Sequence, residues 1–159
     1  MKFILIFFLV LTNLYSNSTE YVDKSNHVNG YKPVLNIEYN SLLETTLSTG
    51  FAVGTISTTN DDKFVGFAFE TGTNFKDAAF IDVSAMYQFN GWFTITTGPS
   101  YIFKLNTFDD NDVKIKSNYY GGQISIIPTF IKVKIGGYYE DYKKEFVGLV
   151  SAGISFQSY

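Results

Sequence analysis

From about residue 33 onward, apolar and polar side chains alternate with a period of two, interrupted only by short polar segments. A β-strand sends successive side chains to opposite faces, so this period specifies strands with one apolar and one polar face. Eight segments carry it: about 33–40, 46–57, 63–71, 79–89, 92–105, 114–127, 130–140 and 145–159. In the fourth, Ala79, Ile81, Val83, Ala85, Tyr87 and Phe89 share one face, and Asp82, Ser84, Met86 and Gln88 share the other. In the fifth, Phe93, Ile95, Tyr101 and Phe103 oppose Thr94, Thr96, Gly98, Ser100 and Lys104. Leu35, Ile37 and Tyr39 stand against Asn36 and Glu38 in the first, and Ile131, Val133 and Ile135 against Lys132, Lys134 and Gly136 in the seventh.

The last strand runs to Tyr159, with Val150, Ala152, Ile154 and Phe156 on the apolar face and Ser151, Gly153, Ser155 and Gln157 on the other. An uncovered edge strand invites pairing with other chains, and closing the sheet into a barrel removes the edge. The expected cover is the first strand, near Val34 to Asn40.

Register gives a stricter test, because paired residues must face the same side. A three-residue hairpin loop at Phe89-Asn90-Gly91, with Gly91 in the left-handed region, pairs Gln88 with Trp92 inward and Tyr87 with Phe93 outward. It also sets Ala85 against Ile95 outward and Ser84 against Thr96 inward. A two-residue loop at Pro128-Thr129 sets Ile126 against Ile131 and Ile124 against Val133 outward, with Ser125 opposite Lys132 and Gln123 opposite Lys134 inward. Both turns keep every pair on one face.

The pattern alone is symmetric under inversion: a soluble lipocalin-type barrel would bury the apolar face and expose the polar one. The apolar face is bulky, whereas a lumen of eight strands has room for only a modest set of side chains. Aromatics make up 18% of the chain and charged residues only 17%. The aromatics gather near strand ends, with Tyr87, Phe89, Phe93 and Phe130 at one rim and Tyr39, Phe69, Tyr101, Phe103 and Tyr139 at the other, as interfacial girdles do. The turns at Asn90-Gly91 and Pro128-Thr129 are short, while the opposite rim receives the longer polar stretches 72–78, 106–113 and 140–144, the asymmetry of outer-membrane barrels. On this reading Glu38, Glu70, Asp82, Lys132 and Lys134 form a polar core inside the barrel, paired or hydrated because unpaired buried charges are costly.

The first residues agree with this destination. Met1-Lys2, the apolar run Phe3 to Leu11, and the small residues around Ser16 and Ser18 have the layout of a secretory signal peptide, expected over 1–18 with cleavage after Ser16 or Ser18. Residues 19–32 are then expected as an N-terminal periplasmic segment and 33–159 as the barrel. No later stretch supplies the roughly 20 apolar residues of a transmembrane helix, so a membrane-embedded mature chain has to be a closed barrel.

The chain resembles the small eight-stranded outer-membrane β-barrels of Gram-negative bacteria, the group that includes OmpA-like, OmpX-like and opacity-protein-like barrels. The resemblance covers the signal peptide and about residues 33–159. Its ending matches the family's insertion signal at Ser151, Gly153 and Phe156, with the last aromatic at Tyr159 where the family pattern places it at Ser158. The resemblance implies an all-β, up-and-down transmembrane barrel in the outer membrane, inserted by the barrel-assembly machinery and surrounded by outer-membrane lipid.

Chemistry-bearing motifs are sparse. The only histidine, His27, falls in the polar stretch before the first expected strand, and there is no cysteine, so neither a disulfide nor thiolate chemistry is available. No cofactor motif, metal-ligand spacing or phosphate loop is present, and no cofactor is expected. Known enzymes of this architecture act on lipid A and would need His, Ser and a carboxylate together at the external rim, which His27 cannot supply. Asp109, Asp110 and Asp112 are oxygen-rich but lack the downstream bidentate Glu of a calcium loop, and a solvated external loop is the expected reading. A net charge of −3 leaves no basic footprint for nucleic acid. The expected function is therefore a non-enzymatic, monomeric barrel with a structural or surface-interaction role and a filled lumen, its external ligand unspecified. A narrow transport barrel, a secreted lipocalin-like binder and a lipid A enzyme stand as alternatives.

Overall fold

Alternation of β-branched and aromatic residues with Ser, Thr and Gly yields strands wherever it occurs, and the computed structural model, which describes residues 27–57, 63–89, 92–108 and 114–157, contains eight of them. They are β1 (His27–Asn40), β2 (Glu44–Ser57), β3 (Lys63–Thr73), β4 (Ala78–Phe89), β5 (Phe93–Phe108), β6 (Lys114–Pro128), β7 (Ile131–Glu140) and β8 (Glu145–Gln157). Each pairs antiparallel with its sequence neighbours, and β8 returns to β1, closing an up-and-down barrel. The expected all-β, eight-stranded antiparallel barrel is the fold observed. The closing register sets Val34 opposite Gln157 and Asn40 opposite Ser151, on the strand segment expected to cover the last strand. The signal-peptide residues 1–18, the acidic run Asp109, Asp110 and Asp112, and Tyr159 lie outside the described residues.

Several boundaries and registers differ from the sequence expectation. β1 starts at His27, so residues 27–32, expected in the segment before the barrel, pair instead with Ser57 back to Ala52 of β2. Pro33, which lacks an N–H, is tolerated because β8 pairing begins only at Val34 and leaves one edge of β1 open there. Both tested hairpins are displaced by two residues. Tyr87 pairs with Ile95 and Gln88 with Thr94, while Ile126 pairs with Val133 and Ser125 with Lys134. A slip of two returns every side chain to its own face, so periodicity fixes the face and leaves this choice open. Trp92, expected inward opposite Gln88, lies outside the strands in the turn before Phe93 and is 60% exposed. The β6–β7 turn is 129–130, with Thr129 at φ 59°, and its N–H donates 2.5 Å to the Trp92 carbonyl, tying the two turns together.

The opposite rim is less extended than expected. Among the described residues its turns are 41–43, 74–77 and 141–144, because pairing runs further along the strands than their polar ends suggest; the connection from β5 to β6 lies outside the described residues. Compact hydrogen bonding holds these turns. Asn74 Oδ1 accepts the N–H groups of Lys76, Asp77 and Ala78 at 2.9–3.0 Å, and Phe75 is held at φ 59°. Asp141 accepts two hydrogen bonds from Asn118, backbone N–H at 2.9 Å and side-chain Nδ2 at 2.7 Å.

The wall is apolar outside and polar to mixed inside. Val65, Phe67, Ile81, Val83, Ile124, Val133, Ile135, Ile154 and Phe156 are exposed on the outer surface, while Glu38, Asp82, Lys132 and Lys134 are buried. Outward Thr71 and Thr97 turn their hydroxyls onto the carbonyls of Phe80 and Gln123, which removes a free donor from an apolar surface. On the inner face, β2 and β3 approach so closely that a Cβ on Gly54 would lie 2.3 Å from the Val65 carbonyl oxygen, and one on Gly66 2.1 Å from that of Val53.

Candidate functional site: the ionic layer of the lumen

Inward positions are two residues apart on each strand, and antiparallel pairing places those of neighbouring strands side by side. The five charged residues expected in the lumen converge by this route. Lys132 Nζ lies 2.8 Å from Glu38 Oε1 and 2.9 Å from Glu70 Oε2. Lys134 Nζ lies 3.4 Å from Glu38 Oε2 and 3.2 Å from Asp82 Oδ2. The result is one alternating chain, Glu70–Lys132–Glu38–Lys134–Asp82, that crosses the lumen from β3 and β4 to β7 and back to β1. Neutral groups complete it: Ser151 Oγ donates to Glu38 Oε2 at 2.6 Å, Ser48 Oγ donates to Glu70 Oε1 at 2.6 Å, and Asn36 Nδ2 donates to Ser48 Oγ at 3.2 Å.

Apolar layers cap this ionic layer on both sides. Toward the rim of turns 41–43 and 74–77 lie Leu43, Phe80, Ile102, Tyr119, Tyr138 and Leu149, packed with Ala78. Leu43 reaches the lumen from the β1–β2 turn, its N–H held by Asn40 Oδ1. Toward the other rim Phe64 and Met86 pack on Ala52. Among the described residues one internal cavity of about 20 Å³ lies beside Glu70, Lys132, Ser84 and Thr96, room for a single water.

Two further buried charges escaped the sequence reading. Lys32 is 3% exposed, donates to Gln88 Oε1 and sits 4.8 Å over the Phe64 ring. It lay in the stretch assigned ahead of the barrel, yet it shares parity with Asn36 and Glu38, and extending β1 by that parity finds it. Glu140, assigned to a loop, is also 3% exposed and accepts a hydrogen bond from Ser117 Oγ at 2.5 Å. The apolar inward residues were likewise hidden, because a lumen read as polar has no place for Phe64, Phe80 or Ile102.

The remaining expected residues disperse. Ser151 and Gly153 face the lumen beside Glu38, and Phe156 faces out, paired with Leu35. Among the described residues no group of three or more His, Cys, Asp or Glu side chains could hold a metal ion. At the exposed rim, hydrogen bonds from Asn118 hold the Asp141 carboxyl below the ordinary aspartate range, and the hydrogen bond to Glu44, 2.5 Å away, raises the Lys76 ammonium.

One outer region differs from the rest. Pro99, Gly122, Gly137 and Gly148 are mutual neighbours across β5 to β8 and all face outward. No side chain covers the wall there, and an open groove of about 630 Å³ runs along Pro99, Gly122 and Gly137.

Fold and faces together define an eight-stranded up-and-down barrel whose polar network is inside and whose apolar surface is outside. No protein-family model matches the sequence, and no curated protein matches it. Among solved structures the chain is similar to the Yersinia pestis outer membrane protein Ail, determined in a phospholipid bilayer nanodisc, at 14% identity, covering 81% of this chain and 100% of that one, with a TM-score of 0.34.

Proposed function

We propose that this chain is an outer-membrane barrel protein with a structural or surface-interaction role, no catalysis and a lumen closed by its own side chains. The single observation that carries the reading is the inversion of faces: charged residues are paired in the interior while Val65, Phe67, Val83, Ile124, Ile135 and Ile154 are exposed on the outer wall. An apolar wall of that kind is compatible with hydrocarbon, and antiparallel closure pairs every strand on both sides, with β1 paired to β8 from Val34 onward. A lipocalin-like soluble barrel would require the opposite distribution. Outer-membrane lipid is the partner of the wall, the barrel-assembly machinery the partner during insertion, and the barrel works as a monomer whose external ligand the rim residues determine.

The ionic layer and its apolar caps support an occluded lumen over a transport barrel, since a conduction path needs continuous hydrated space and the cavity holds one water. A lipid A enzyme finds no support, because His27 stands at the start of β1, paired with Ser57 at the rim away from the turns 74–77 and 141–144. Expression of the full chain followed by cell fractionation tests the proposal. Recovery with the outer membrane, extraction only by detergent, and the absence of single-channel steps in planar bilayers are the expected results. A water-soluble product defeats the membrane reading, and a reproducible conductance defeats the occluded lumen.

A further inference from the structure

Barrel closure brings together the first and last described strands, and this seam is the shortest of those involving β1. Seven residue pairs join β1 to β8, whereas fourteen join β1 to β2. Glu38 sits within the seam, opposite Gly153 of β8. Gly153 in turn pairs with Lys132 of β7, and the neighbouring Ser151 pairs with Lys134. A Cβ at position 153 would lie 2.1 Å from the Ile37 carbonyl oxygen, 2.6 Å from the Glu38 Cα and 2.9 Å from the Glu38 Cγ, so a side chain there would push β1 away and crowd Glu38 off its path to the lysines. With glycine there, the Glu38 carboxylate crosses over β8, accepts from Ser151 at 2.6 Å, and reaches both lysines of the strand beyond.

The other two carboxylates are arranged differently. Glu70 pairs with Lys132 and Asp82 with Lys134, each across the lumen and away from the seam. Those two ion pairs are already neutral, so Glu38 is a third carboxylate shared between two occupied lysines. Its position is favourable only when β1, β8 and β7 lie side by side, because only then do Ser151 and both ammonium groups surround it. A charged group left there without all three would carry the desolvation cost of a buried carboxylate.

We propose that Glu38 is the closing clasp of the barrel: a carboxylate on the first strand that, passing over Gly153, locks β1 to β8 and β7 and so holds the seam shut. The clasp is distinct from general packing because it acts on one strand junction. A purely electrostatic view makes the opposite forecast, since three carboxylates facing two lysines leave a net negative layer that loss of Glu38 would relieve.

The chain has no cysteine, so pairs can be introduced as reporters. Val34→Cys with Ser155→Cys, both inward and buried, flanks the seam, and inward Ala68→Cys with Ser84→Cys spans the β3–β4 junction, so alkylation requires the strands to part. The full chain, refolded into phosphatidylcholine vesicles, is treated with a membrane-permeant maleimide and the alkylation rate of each pair is read. Glu38→Gln is expected to speed alkylation at the seam about tenfold, the size of losing a hydrogen-bonded charge contact, with the β3–β4 pair changed less than about twofold. Glu70→Gln leaves both pairs within about twofold, because Lys132 keeps Glu38. An unchanged or slowed seam in Glu38→Gln, or equal acceleration of both pairs, overturns the proposal. If Glu38→Gln does not refold, Ser151→Ala removes only the hydroxyl of the clasp. It should speed the seam pair alone by about threefold, and no seam-specific change there overturns the proposal equally.

Discussion

Two layers of the same lumen are held by opposite means. The layer of Leu43, Phe80, Ile102, Tyr119 and Leu149 is held by dispersion and exclusion of water, with Tyr138 donating its hydroxyl to Ser100 at 2.9 Å. The layer of Glu38, Glu70, Asp82, Lys132 and Lys134 is held by ion pairing of three carboxylates around two ammonium groups. Lys134 marks the boundary, its ammonium 4.9 Å over the Phe80 ring and 3.2 Å from Asp82. The difference teaches that inward parity sets only which side chains meet. Their depth in the barrel sets whether they meet as hydrocarbon or as ions, and the two solutions respond differently to loss of a member.

The sharpest contrast is expected from single deletions. Lys132→Met leaves Glu38 with Lys134 alone, shared with Asp82, and Glu70 with no lysine in contact, and should destabilise the barrel by about 3–5 kcal/mol in denaturant unfolding from vesicles. Ile102→Ala, in the apolar layer, removes packing without stranding a charge and should cost about 3 kcal/mol in the same assay. If the order reverses, ion pairing is not what holds the ionic layer. Val133→Lys tests the outer face between those two inward lysines, and a charge directed into lipid should cost about 2 kcal/mol, with no penalty if the wall faces water. Asp82→Leu combined with Lys134→Met extends the apolar layer downward by removing both partners at once. Its cost should stay at about 1 kcal/mol, under that of Lys132→Met, because Asp82 leaves together with its lysine and Glu38, though it loses Lys134, keeps Lys132 and Ser151.

The smallest effect belongs to the rim. Hydrogen bonds from Asn118 lower the Asp141 carboxyl, so the folded pKa lies below the unfolded value. That group contributes stability above the ordinary aspartate range and loses it as pH falls through the lowered folded pKa. Asn118→Ala should return the Asp141 titration, followed by carboxyl NMR, toward its usual range while leaving the barrel's midpoint nearly unchanged. An unchanged titration would mean that the Asn118 contacts do not set it.

Much of the architecture was legible in the alternation. Eight strands, their faces and the five-charge network follow from parity, since Glu38, Asp82, Lys132 and Lys134 each sit between outward apolar residues. What was hidden has a common physical origin in the same period. Tyr87 opposite Phe93 or opposite Ile95 gives identical faces, so register modulo two needed the turn geometry at Trp92 and Thr129. Lys32 and Glu140 lie at strand ends, where polar residues read as loop although the ladder continues through them. Phe64, Phe80 and Ile102 are inward hydrocarbons whose parity was readable, but whose role depends on the two-layer stacking of the lumen, a property of depth along the barrel that no single strand displays.

The bare stretch at Pro99, Gly122, Gly137 and Gly148 carries its own consequence. Elsewhere an outward Ile, Val or Phe lies between the peptide groups and the surroundings and insulates the hydrogen-bonded ladder. Here neither Gly137 nor Gly148 has an atom within 4 Å of where a Cβ would stand. On the proposed membrane reading, an apolar medium touches paired amides directly there, and pairing itself is their insulation. If two of these strands part by one hydrogen bond, the exposed N–H and C=O groups meet hydrocarbon at once, at several kcal/mol per group. Along β6 to β8, then, the backbone ladder does the work that side chains do around the rest of the wall.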